Sequence, residues 1–165
     1  MNKYVEMKER HQKEVDNFPM KFAFSDEQFK KAMEELGLTE NDLDKIVGIG
    51  AGGFIRKTDV NAYKEMGKRQ FKEFWRAIQE DKVGDGFIKE MFLYELANHE
   101  YIITREIDDT LDALGLTDND IRNNNNLRTG LLLAEKEYLE QYEKQEEDEE
   151  EIWNKRNGEC KNDKR

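Results

Sequence analysis

The sequence predicts an α+β domain dominated by helices, with a few short strands in a small sheet and a long C-terminal helix. Three observations predict it. Val60, Tyr63, Gly67, Phe71, Phe74, Trp75 and Ile78 keep three- and four-residue steps, the period of one helix face. Pro19 is the only proline among 165 residues, so few breaks are forced on the helices. Strand-like runs are confined to residues near 20–24, 54–58 and 101–104, which suffice only for a small sheet.

Composition sets the limits. Hydrophobic residues make up 36% of the chain, charged residues 39% and aromatics 10%. One real core is affordable, and wholesale disorder is not expected. Residues 1–143 are read as a single globular domain, and 144–165 as a charged tail that is either a helical extension or disordered. The net charge of −11 favours solubility and repels bare nucleic acid and anionic membranes. The single cysteine, Cys160, allows no disulfide within the chain. No apolar run suits a membrane span or a secretory leader, so a cytoplasmic protein is expected.

The elements follow in order. Residues 3–17 form an amphipathic helix with Tyr4, Met7 or Lys8, His11 and Val15 on one face, ended at Asn17-Phe18-Pro19 because the residue before proline avoids the α region. Met20 to Phe24 alternates as a strand. Ser25 caps a helix that runs to Leu36, with Gln28 as its capping-box partner, and Gly37 closes it. Thr39 caps a short helix to about Val47. Gly48 to Gly53 is a glycine loop, Phe54 to Thr58 a strand, and Asp59 the cap of the strongest helix, 60–80. A turn at Gly84-Asp85-Gly86 leads to a helix over 87–98, then a strand at 101–104. A further helix runs from about Arg105 to Gly115. Asn123 to Asn126 is a polar loop, and the last helix starts near Leu127. The expected core is Phe22, Phe24, Phe29, Leu36, Phe71, Phe74, Trp75, Ile78, Phe92, Leu96, Leu111 and Leu114.

Residues 29–43 align without gaps on 107–121, matching Leu36-Gly37-Leu38-Thr39 to Leu114-Gly115-Leu116-Thr117 and Asn41-Asp42 to Asn119-Asp120. The pattern reads either as a recurring turn, in which glycine closes one helix and threonine caps the next, or as a duplicated strand–helix–turn–helix unit.

No motif supports catalysis, and no cofactor or metal is expected. Gly48 to Gly53 spells G-x-G-x-x-G, but it follows a helix and precedes a strand, the reverse of a dinucleotide site. Asp81 to Ile88 resembles the start of a calcium loop. Val83 and Phe92 stand where ligands are needed, so the bidentate glutamate is missing. His99 follows Glu95 by four residues, with no second histidine on that turn to make a zinc site. Ser25, the only serine, already has a capping role, which leaves no serine nucleophile.

Charge is unevenly placed. Residues 56–76 hold seven basic side chains against three acids. Arg56 and Lys57 lead into Lys64, Lys68, Lys72 and Arg76, which fall at four-residue steps on one stripe. Residues 135–151 hold ten acids against two lysines, among them Glu135, Glu137, Glu140, Glu143, Glu146 and Glu147. Each charged set reads either as a solvated helix face or as a binding surface. The acids would face a basic partner. The stripe would face nucleic-acid phosphates, an acidic partner or the acidic helix itself.

At FPMKFAFSDEQF (18–29), GGFIRKTD (52–59), GDGFIKEMFLYELANHEY (84–101) and LDALGLT (111–117), the sequence resembles a group of small uncharacterised proteins carried by plasmids, conjugative elements and phages of gut Firmicutes. The resemblance spans residues 1–143 and transfers no functional residues. By analogy with other small acidic proteins of such elements, it implies a counter-defence role. The expectation is a non-enzymatic inhibitor that binds a basic, nucleic-acid-handling host nuclease or its ribonucleoprotein, specifically a type II CRISPR effector. The alternative is a nucleic-acid-binding accessory protein that uses the 56–76 stripe. A third class is a metal-tuned interaction module.

Overall fold

The computed structural model describes residues 2–159; Cys160 lies outside the described residues. The elements are α1 (Lys3–Asp16), β1 (Met20–Phe22), α2 (Asp26–Glu35), β2 (Ile46–Gly50), β3 (Gly53–Arg56), α3 (Val60–Glu80), α4 (Phe87–Asn98), α5 (Tyr101–Thr104), α6 (Asp108–Leu114), α7 (Asp118–Asn123) and α8 (Asn125–Glu159), with 3-10 turns at Leu43–Lys45 and Lys57–Asp59. The fold is α+β and helix-dominated, with one small antiparallel sheet. The chain divides into two compact units, one made of residues 2–6 and 76–159 and the other of residues 7–75.

The 7–75 unit holds the sheet, in the order β1-β3-β2. Met20 pairs with Ile55 and Phe22 with Gly53, while Ile46 pairs with Arg56 and Gly48 with Phe54. The sequence places the end of a helix and a glycine loop where β2 lies. Thr39 does cap a turn, donating its backbone N–H and hydroxyl to Asp42 Oδ2, both at 2.8 Å. That turn continues only as the three-residue 3-10 turn. The β-branched run Ile46-Val47 then finds a ladder partner in β3 across a tight turn, and cross-strand pairing outweighs the local helical start.

Ser25 caps α2 by accepting the Gln28 N–H at 3.2 Å. The Gln28 side chain reaches back to accept the Phe24 N–H at 2.8 Å, one residue beyond the Ser25 N–H of the usual capping box. The core of this unit is Ala32, Met33, Leu36 and Phe54, with Ala23, Phe29, Leu38 and Ile46 against it. Phe29 and Phe54 meet at 5.2 Å.

Three expected core residues are not in a core: Phe22 is 50% exposed, Phe24 78% and Phe71 64%. Alternation along the first strand puts Ala23 on the side of α2, so Phe22 and Phe24 point the other way. Phe71 is displaced because the face of α3 that meets α1 is polar, carrying Gln70 and Glu73. Gly67, in the middle of α3, has nothing within 4 Å of where a Cβ would stand. Gly67→Ala is therefore expected to stabilise the 7–75 unit by about 0.5–1 kcal/mol, the helix-propensity difference alone. Urea unfolding checks this, and a destabilised variant would contradict the open space.

The other unit is built on α4. Ile88, Met91, Phe92 and Leu96 are fully buried there, against Leu111 and Leu114 of α6 and Leu127, Leu131 and Ala134 of α8. A helix apolar on several faces must be covered on several faces. Residues 101–104, expected as a strand, form the single turn α5 instead. The three-stranded sheet lies in the other unit, so this segment has no ladder to join. Its backbone groups are satisfied locally, with Ile103 N–H on Glu100 O at 2.9 Å and Arg105 N–H on Tyr101 O at 2.9 Å. The expected Asn123–Asn126 loop shrinks to Asn124 between α7 and α8.

The two aligned segments adopt the same turn. Gly37 and Gly115 take φ of 72° and 62°, where only glycine is unstrained. Leu38 N–H reaches Met33 O and Leu116 N–H reaches Leu111 O, both at 2.9 Å, which is the Schellman arrangement. Thr117 then closes a full capping box with Asp120. The larger duplication does not hold, because one copy follows a strand and the other follows α5. A recurring helix–turn is what the two segments share.

Candidate functional site

The acidic residues split into two groups along α8. Glu135 accepts the Tyr101 hydroxyl at 2.8 Å, and Glu137 pairs with Lys89 at 3.0 Å; both help seat α8 on its own unit. From Glu140 to Lys155 every residue is exposed. This stretch carries Glu140, Glu143, Glu146, Glu147, Asp148, Glu149, Glu150 and Glu151 against Lys144 and Lys155. Two large apolar side chains stand among them, Ile152 at 51% and Trp153 at 65% exposure. The sequence reading stopped at the acids. An Ile152-Trp153 pair directly after six consecutive acids was the available signal for these two.

The basic residues lie along the 7–75 unit and the continuing α3. Arg56, at the end of β3, is held by Asp59 at 2.9 Å. That contact takes the carboxylate expected to cap α3. Lys57 is exposed in the 3-10 turn. Lys64, Lys68, Lys72 and Arg76 are all exposed on α3, as the four-residue spacing predicts. Lys68 is paired with Glu65 at 2.7 Å, while Lys64 and Lys72 make no ion pair among the described residues.

Beside Lys64 and Lys68 lies a feature that the sequence reading did not find. An apolar groove of about 650 Å³ is lined by Val15, Met20, Phe22, Ile49, Tyr63 and Met66, with Gly50, Ala51, Gly67 and Gln70 completing it. Its wall needs the β2–β3 turn, which forms only once β2 pairs with β3. Gly67 keeps the α3 side open, since any side chain there would project into unoccupied space.

Charged ties fix α1 to α3 next to the groove. Arg10 donates to Glu73 through two bonds, at 3.0 and 2.5 Å, and His11 Nε2 lies 2.9 Å from the same carboxylate. Arg69 forks onto Glu14 at 2.9 and 3.0 Å, with Gln70 adding a bond at 2.9 Å. The Arg69 bonds hold the Glu14 carboxyl down at about 2, and the Arg10 bonds do the same for Glu73. Both depressed values stabilise the fold above the ordinary glutamate value of about 4.3, and that contribution is lost as pH falls toward 2. The unfolding free energy should therefore drop across this window. Glu73→Gln should make the drop shallower, as denaturant unfolding at stepped pH would record.

Other sequence-flagged residues are structural. Both oxygens of Asp81 are taken by backbone amides, Oδ1 by Gly84 at 2.8 Å and Oδ2 by Gly86 at 3.1 Å and Ile88 at 2.9 Å. Asp81 thus caps the start of α4 from a distance. Glu95, read in the sequence as a neighbour of His99, is buried. It accepts the Tyr4 hydroxyl at 2.5 Å and lies 3.4 Å from His99 Nε2. Burial, and then Glu95, push the Tyr4 hydroxyl far above its ordinary value. Among the described residues no cluster of histidine, cysteine and carboxylates is placed to hold a metal. No helix among them is long and apolar enough to cross a membrane.

No curated protein matches the chain, and no solved structure does. A family match covers the groove, most of the charged stripe's surroundings and the α4–α8 packing, and it ends at Glu137, short of the fully solvated part of α8. The chain belongs to a family of unknown function (DUF7659), which it matches over residues 3–137.

Proposed function

We propose that the chain is a non-enzymatic inhibitor from a mobile element, acting in the bacterial cytoplasm. Its target is a nucleic-acid-dependent defence enzyme, specifically a type II CRISPR effector nuclease. One observation carries this reading: the solvated acidic stretch of α8. Residues 140–151 hold eight acids over about 18 Å of helix at 1.5 Å per residue. That is about one carboxylate per 2 Å, near the one charge per roughly 1.7 Å of duplex DNA. A channel lined with lysine and arginine to hold phosphates would accept such a rod. Mutual attraction would speed association at low salt and weaken as salt rises.

The stripe reading is less favoured. Arg56 and Lys68 are already paired with acids, and the remaining cations act within a chain of net charge −11, a field that repels phosphate. The test uses the purified chain, a purified type II effector ribonucleoprotein and labelled target DNA. The chain alone should leave the DNA unshifted at physiological salt, and it should displace DNA from the effector. Reversing Glu143, Glu146, Glu147 and Glu150 to lysine should slow association at least tenfold. Neutralising Lys64 and Lys72 should leave it unchanged. A direct shift of DNA by the chain, lost on lysine neutralisation, would replace this reading with the nucleic-acid-binding one.

A further inference from the structure

We infer that the apolar groove of the 7–75 unit is a docking site for a second copy of this chain, which it holds by the acidic, tryptophan-bearing end of α8. The inference is independent of the proposed target. Three observations carry it.

The first is that the groove is apolar within and basic at its edge. Met20, Phe22, Ile49 and Met66 line it, with Lys64 and Lys68 beside them. Phe22 remains half exposed there, although burying a phenylalanine is strongly favourable. Lys64 makes no ion pair among the described residues.

The second is that the chain carries the complementary surface. Ile152 and Trp153 are exposed near the end of α8. On a helix, the residues three and four before them share their face. Those residues are Asp148, Glu149 and Glu150. An apolar pair flanked by carboxylates thus matches an apolar groove flanked by lysines. A tryptophan contributes a contact area on the order of 200 Å². The net charge of −11 opposes self-association at long range. At physiological salt that repulsion is screened beyond about 8 Å, whereas lysine and carboxylate in contact still attract.

The third is Gly67. Glycine in the middle of a 21-residue helix is unfavourable against alanine, and no neighbouring atom requires the space. The absent side chain leaves the groove open on its α3 side, which is the property a docking site needs.

Because groove and arm are different surfaces, the contact is head-to-tail rather than two-fold. Sedimentation velocity on the full chain should show a mass that rises with concentration, with Trp153 fluorescence shifting to the blue. Trp153→Ala should abolish the rise. Gly67→Leu should abolish it too while leaving the melting temperature unchanged or higher, which separates blocked docking from misfolding. Lys64→Glu and Glu150→Lys should each remain monomeric alone and associate when mixed, since the mixture restores one native arm in one native groove. A chain monomeric at every concentration would overturn the inference. So would association that survives Trp153→Ala and Gly67→Leu, or failure of the two charge variants to complement.

Discussion

Gly130→Ala is expected to destabilise the unit built on α4 and α8 by about 1–3 kcal/mol, the range of forced overpacking. Gly130 is buried within α8. A Cβ there would stand 2.4 Å from Ile88 Cγ2 and 2.7 Å from the Gly84 carbonyl oxygen. The helix propensity of alanine favours the change by about 1 kcal/mol, so the clash must exceed that gain. It does, because one of the two obstacles is backbone. The Gly84 amide is itself fixed by Asp81 at 2.8 Å, so the carbonyl cannot swing aside without disturbing the cap of α4. Chemical denaturation compares the variant with Gly67→Ala. The same substitution in two helices should move stability in opposite directions, and equal signs would refute the packing at Gly130.

Phe92→Ala should cost more, about 3–5 kcal/mol, as for a large aromatic removed from a sealed core. Phe92 is fully buried at the centre of α4. Its helix packs on α6 and α8, where Leu111, Leu114, Leu127 and Leu131 are also buried. The sequence reading places Trp75 in the core as well, where truncation to alanine would carry a cost in that same range. The structure separates them. Trp75 is only partly buried, against Phe71 and Phe74 at 6.1 Å each, and Phe71 is itself largely exposed. Truncating Trp75 should therefore cost clearly less than truncating Phe92. Urea midpoints measured at a common slope decide the order, and a Trp75 variant as damaged as the Phe92 variant would contradict the assigned burial.

Local chemistry was legible in the sequence wherever neighbours along the chain supply the interaction. Ser25 caps α2 and Thr117 boxes with Asp120 because the partners are three residues away. The same nearness makes the Gly37 and Gly115 turns readable, along with the exposed Lys64–Lys72 stripe. The places where the reading failed depended on partners far along the chain. Ile46–Gly50 became a strand because β3 offered a ladder, and Tyr101–Thr104 became a helical turn because none was available. Phe22, Phe24 and Phe71 are hydrophobic enough for a core, but which face of a strand or helix is covered depends on what packs against it. Glu95 is buried because Tyr4, 91 residues away, brings it a hydroxyl. The groove was equally illegible, since it is enclosed by the end of α1, the first strand, the hairpin turn and α3. A concave apolar surface is a property of elements brought together, and residue types in sequence order do not fix how they come together.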